Sequence, residues 1–114
     1  MSIHRLCLIL DLKDDPALIK EYENYHKKDV IWPEIIEGNI ACGINAMDIY
    51  RAGNRLCMII ETGSGFDFKS SMEKLSRLPR QKEWAKLMLR FQERLPFAQP
   101  DEHWVLTEKI FTQS

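Results

Sequence analysis

An α+β sandwich is the fold class this sequence predicts, and three observations carry it. Strand-like runs and amphipathic helices follow one another as strand, helices, strand, strand, helices, strand. The two middle strand runs flank a compact turn, Ala52-Gly53-Asn54, as the arms of a hairpin do. The 114 residues suffice for one hydrophobic core, so the pattern describes a single domain, 1–114.

Residues 4–12 read as the first strand. Leu6, Leu8, Leu10 and Leu12 alternate with Arg5, Cys7, Ile9 and Asp11. Both faces are fairly apolar, which predicts a central strand. Asp14-Asp15-Pro16 is a helix start, since acids and proline both suit a first turn. This helix is expected to run to about residue 28. Pro33 restarts a second short helix, which runs to about Cys42 and stops at Gly43. Residues 44–51 and 55–62 form the hairpin strands. Gly63-Ser64-Gly65 then breaks the chain, and Phe68, Met72 and Leu75 mark one face of a third helix. After Pro79, Trp84, Leu87, Met88, Phe91 and Leu95 fall at i, i+3, i+4, i+7 and i+11. That spacing predicts one amphipathic helix, ended by Pro96 and Pro100. Residues 103–111 supply the last strand.

This order is the split β-α-β pattern of a ferredoxin-like sandwich. Its helices lie on one face of the sheet. The other face also carries apolar side chains and needs a cover. A second subunit packed sheet against sheet is the simplest cover, which predicts a homodimer.

Composition narrows the function classes. The chain holds 16 basic and 17 acidic residues, a net charge of −1, with 45% hydrophobic and 29% charged content. Nucleic acid or an anionic membrane as partner would need a concentrated basic surface, and none is present. No apolar run approaches the roughly 20 residues that span a bilayer. The opening residues Met1 to Arg5 lack a signal-peptide core, so the expectation is a cytoplasmic protein. Cys7, Cys42 and Cys57 are odd in number and widely spaced, and read as reduced thiols. Gly63-Ser64-Gly65 lacks the third glycine of a dinucleotide loop. No cluster has metal-ligand spacing. Ser70-Ser71 has no evident base.

The chemistry concentrates in Glu21-Tyr22-Glu23-Asn24-Tyr25-His26 and in Ile31-Trp32-Pro33-Glu34. A helix puts residues i and i+4 on one face, so Tyr22 and His26 can share a space. Imidazole is the side chain best matched to proton transfer near neutral pH. Tyr22 also reads as a half-buried helix aromatic, the more common fate of such residues. Trp32 precedes a proline and is biased to extended backbone. It either plugs the helix–helix corner or offers its indole to a ligand. Trp84, on periodicity alone, is core. Asp48 alternates with Ile44, Ala46 and Tyr50, and a carboxylate on an apolar strand face is costly unless it is partnered or serves a site. It is a candidate acceptor for a sugar hydroxyl, or simply a solvated residue. His103 is a possible second proton carrier, although a histidine at a strand edge needs no function.

Together, Tyr22-x-x-x-His26, Trp32-Pro33-Glu34, Met47-Asp48-Ile49-Tyr50, Gly53-Asn54-Arg55-Leu56 and Trp84-x-x-x-Met88 resemble the L-rhamnose mutarotase family. Asp11 to Pro16 and Glu108 to Phe111 extend the resemblance toward its L-fucose mutarotase branch. The resemblance implies a dimeric α+β barrel that interconverts the α and β anomers of a 6-deoxy sugar, without a cofactor. It implies His26 as proton donor, Tyr22 as a substrate contact, and Trp84 as the first of a tryptophan pair. This sequence departs in three places. Ala85 stands where the second tryptophan would be, Met47 aligns with a further sugar-contacting tyrosine, and the gap from His26 to Trp32 is two residues longer. These departures bear on sugar choice.

The resulting expectation is a 6-deoxyhexose mutarotase, with His26 as acid/base and Tyr22, Trp32, Asp48 and Trp84 around the sugar. A non-catalytic metabolite-binding module and a small monooxygenase on the same barrel are the competing readings.

Overall fold

The computed structural model describes residues 3–114; Met1 and Ser2, part of the N-terminal reading above, lie outside it. The chain runs β1 (Ile3–Leu12), α1 (Pro16–Tyr25), α2 (Pro33–Ala41), β2 (Ile44–Ala52), β3 (Arg55–Gly63), α3 (Phe68–Ser76), α4 (Gln81–Met88), β4 (Gln92–Glu93) and β5 (Val105–Leu106). The sheet order is β2-β3-β1, with both β4 and β5 on the far edge of β1. All pairings are antiparallel. This is the expected split β-α-β sandwich, with its fourth strand position shared by two short pieces.

Register explains which face is buried. Leu6, Leu8 and Leu10 of β1 oppose Ile60, Met58 and Leu56 of β3. These positions face the helices, and Leu8, Leu10 and Ile60 are fully buried. The alternate set, Cys7, Ile9, Cys57 and Ile59, lies on the other face and is only half-buried. Cross-strand ion pairs flank that strip, Arg5 with Glu61 at 2.9 Å and Arg55 with Asp11 at 2.8 Å. Tyr50 beside it is 61% exposed. The three cysteines are free thiols, with the Cys7 and Cys57 sulfurs 3.2 Å apart.

Helix starts follow the local chemistry. Asp15 caps α1 by accepting from the Ala17 and Leu18 amides, and Pro16 occupies its first turn. Asp67 caps α3 through the Ser70 amide. Gly43, at φ +102, turns the chain from α2 into β2 in a conformation that other residues rarely adopt. The α3 residues Phe68, Met72 and Leu75 pack on the cluster of Leu8, Cys42, Ile44, Met58 and Ile60.

Three element boundaries differ from expectation. Helix α1 ends at Tyr25 rather than near residue 28, because the His26 ring bonds the Tyr22 carbonyl and closes the last turn. Helix α4 ends at Met88, not at Leu95. Phe91 and Leu95 are buried as the periodicity requires, but Gln92 and Glu93 pair with the open edge of β1 at Leu12 and Asp11. The Phe91 carbonyl accepts from the Lys13 amide at 2.8 Å. A vacant strand edge wins over helix continuation there. The expected strand 103–111 shrinks to Val105–Leu106, with Thr107 still bonded to Cys7. Residues 108–114 form no strand, and Ile110 and Phe111 stand exposed.

Candidate active site

A cleft of about 930 Å³ opens between the helix layer and the sheet. Its wall includes Tyr22, His26, Met47, Trp84, Gln92 and His103. The lining is mostly apolar with a few polar groups, the usual make-up of a small-molecule site.

Helix α1 and its cap bring Tyr22 and His26 together, with ring centroids 4.4 Å apart. Tyr22 is buried, packed in the cluster of Leu12, Leu56, Met88 and Phe91. The His26 Nδ1 lies 2.8 Å from the Tyr22 carbonyl oxygen. A carbonyl only accepts, so Nδ1 carries the hydrogen and the neutral ring keeps its lone pair on Nε2. Burial holds the His26 pKa below its ordinary value, against the opposing pull of that bond. Burial also pushes the Tyr22 phenol up to about 12, partly offset by the neighbouring Gln92 side chain. At neutral pH the pair is therefore an unprotonated imidazole nitrogen beside a fully protonated phenol.

Trp84 projects from α4 into the cleft and meets His26 edge-on at 5.3 Å. Behind it stand Trp32 at 5.1 Å and Tyr25 at 6.3 Å. Trp32 does not line the cleft. It fills the helix–helix corner, between Trp84 on one side and the Arg80 guanidinium 3.8 Å above its ring. Of its two sequence readings, the corner plug is the one this geometry favours.

The face on which Asp48 falls is set by an irregularity in β2. A bulge between Ile44 and Ala46 shifts the alternation of β2 by one residue. Met47 and Ile49 now oppose Ile60 and Met58 and pack on the helix side. Asp48 opposes Ile59 and is exposed on the open face of the sheet. It still lines the cleft, as expected of a candidate site residue, although its side chain alternates away from the apolar face of β2.

Two further polar residues stand on the wall, and sequence reasoning singles out only one of them. The helical period puts Gln92 inside a helix, whereas His103 is the possible second proton carrier. They meet at 2.6 Å, His103 Nε2 to Gln92 Oε1, on the same wall as Tyr22.

A family model for L-rhamnose mutarotase matches residues 5–113. The chain belongs to the L-rhamnose mutarotase family. Within reach of this family, it is 40% identical over 114 residues to an L-fucose mutarotase of Xanthomonas campestris, covering 100% of this chain and 91% of the relative. It is 38% identical over 106 residues to a UPF0734 protein of Dictyostelium discoideum, covering 90% and 83%. Among solved structures it resembles an L-rhamnose mutarotase of Formosa agariphila, with TM-score 0.68 at 18% identity over 97% of this chain and 99% of that one. It also resembles a tetracenomycin F2 cyclase of Streptomyces glaucescens, with TM-score 0.57 at 17% identity over 97% of each chain. Both structural likenesses speak to the fold. The mutarotase family model spans α1, both walls of the cleft and the Gln92–His103 segment alike.

Proposed function

We propose that this protein is a sugar mutarotase, an isomerase that interconverts the α and β anomers of a 6-deoxyhexose. L-fucose is the first sugar to test, given the full-length likeness to an L-fucose mutarotase, and L-rhamnose the second. The observation that carries the reading is the Tyr22–His26 pair, one neutral base and one neutral acid side by side in a mostly apolar cleft.

The chemistry follows from their states. The His26 Nε2 takes the anomeric O–H proton, and the bond from C1 to the ring oxygen breaks as the C1 carbonyl forms. The Tyr22 hydroxyl gives its hydrogen to the departing ring oxygen. An imidazolium and a phenolate then face each other, and their attraction offsets part of the cost of the phenol's high pKa. Rotation about C1–C2 exposes the other carbonyl face. The ring oxygen attacks it, returning its proton to Tyr22 while His26 returns the other to the new anomeric oxygen. Trp84 offers an apolar surface for the C–H face of the sugar. Two carriers contributing about 10²–10⁴-fold each suffice for a reaction that already proceeds unaided.

The homodimer expected from the sequence belongs to the same proposal. The half-buried strip of Cys7, Ile9, Cys57 and Ile59 is a sheet face without helices, and the exposed Ile110 and Phe111 are further apolar surface for a second copy. Among the described residues no helix is long and apolar enough to cross a membrane.

Polarimetry on freshly dissolved L-fucose and L-rhamnose tests the activity. The expected result is faster relaxation to anomeric equilibrium with one or both sugars. Relaxation at the rate of buffer alone with both would overturn the proposal.

A further inference from the structure

Gln81 opens α4 and lines the cleft one helical turn before Trp84. It is only 8% exposed. An amide buried in a mostly apolar wall is costly unless both of its ends are bonded. Its nitrogen is bonded, donating from Nε2 to the Glu34 carbonyl oxygen at 2.8 Å. A carbonyl only accepts, so the nitrogen faces Glu34 and the oxygen is turned away. Among the described residues Gln81 Oε1 has no hydrogen-bond partner, yet it is not sealed in protein as Glu34 Oε1 is. The free space that Gln81 borders is the cleft.

The amide is held by an arrangement that costs stability. A Cβ on Gly38 would collide with Gln81 Nε2 and lie 3.2 Å from Leu75 Cδ1. Glycine makes room for the amide in this position, although glycine weakens a helix interior. Helix α2 does not need the bond it receives, because within a helix the Glu34 carbonyl already meets the Gly38 N–H. What the arrangement secures is the direction of Oε1.

Position along α4 says what that oxygen meets. Residues three apart share a helix face, with Cβ atoms about 5–6 Å from one another, close to the width of a pyranose ring. Trp84 in turn meets His26 edge-on at 5.3 Å. A sugar laid against Trp84 with its anomeric carbon at His26 presents its other hydroxyls along this wall. We infer that Gln81 Oε1 accepts a hydrogen bond from one secondary ring hydroxyl of the sugar, at C2, C3 or C4, and so helps select which sugar is turned over. The inference rests on the mutarotase proposal for the identity of the ligand, but the unpartnered, fixed acceptor in the cleft does not.

Two measurements on the full-length chain test it. The first follows the Gln81 side-chain amide in ¹H–¹⁵N spectra, assigned by its loss in Gln81→Leu. Added L-fucose should shift that resonance together with the Trp84 indole N–H. A Gln81 amide that L-fucose leaves unmoved would overturn the inference. The second is anomeric exchange with L-fucose and with its analogues lacking the hydroxyl at C2, C3 or C4. Gln81→Leu should lower kcat/KM for L-fucose about tenfold, mostly through KM. With the one analogue that lacks the hydroxyl Oε1 accepts, wild type and Gln81→Leu should differ by less than about twofold. Gln81→Met, unbranched like glutamine, should give the same pattern and serves if the leucine variant does not fold. An equal loss with every sugar would show a packing role and overturn the inference. Absence of wild-type exchange with every sugar would instead refute the mutarotase proposal, leaving the Gln81 amide shift to decide this one.

Discussion

Replacing Trp32 by Ala separates a corner plug from a sugar contact. A tryptophan buries roughly 150–250 Å² when fully enclosed. Trp32 is half-buried, so about 100 Å² of mostly apolar area is at stake, or about 2.5 kcal/mol at ~25 cal/mol per Å². The edge contact with Trp84 adds roughly 0.5–1.5 kcal/mol, and the Arg80 stack about 0.5 at a partly exposed site. Relaxation of the open corner returns some of this, leaving about 3 kcal/mol. No capping bond is lost, since Trp32 precedes α2 without a side-chain cap. For 114 residues unfolding with about 2.1 cal/mol/K each, that corresponds to a fall in Tm of about 12 °C. The assay is thermal unfolding by circular dichroism, paired with exchange kinetics at a temperature where the variant is folded. KM for the sugar should rise less than about tenfold, through loosened Trp84 alone. A Tm within about 3 °C of wild type together with a larger rise in KM would refute the corner role and restore the direct-contact reading.

Other perturbations have equally definite outcomes. His26 and His103 both have pKa values lowered by burial in the folded state, so the unfolded chain binds protons first as pH falls. Stability should therefore be level above pH ~6.5 and decline as pH drops below it through the lowered folded values, visible as a falling Tm; a Tm that rises on acidification over that window would contradict the assignment. Gly38 lies where α2 meets α4, and a Cβ there would collide with the Gln81 amide that bonds the Glu34 carbonyl. Gly38→Ala should cost about 1–3 kcal/mol by overpacking, read by denaturant titration. Asp48→Asn changes an exposed charge at the cleft that alternates off the apolar strand face, so kcat/KM should stay within about twofold of wild type; a tenfold loss would make Asp48 a direct sugar contact.

The layout was legible in the sequence because the buried faces of β1 and β3 repeat every second residue and α1 and α2 both start at a proline. Asp15-Pro16 and Trp32-Pro33 located two helix N-termini to the residue. The hairpin at Gly53 followed from its turn residues. What escaped was decided by tertiary competition. The period of Trp84 to Leu95 is that of a helix, yet Gln92 and Glu93 found an unpaired strand edge that periodicity does not encode. The side of β2 on which Asp48 falls depended on one bulged residue, and a single-residue slip reverses a strand's faces. The Tyr22–His26 pairing was visible as an i, i+4 spacing. The shortened end of α1 even reinforced it, since His26 became the cap that bonds Tyr22. The Gln92–His103 contact joins β4 to the segment just before β5, and no local pattern announces such a meeting.

Saturation-transfer NMR on L-fucose at anomeric equilibrium, comparing wild type with His26→Ala, tests the central claim most directly. Irradiation of one anomeric proton should diminish the signal of the other far more in the presence of wild type than in buffer, and His26→Ala should lose about 10²-fold or more of that exchange while keeping its fold by circular dichroism. A folded His26→Ala variant that exchanges the anomers as fast as wild type would contradict the account.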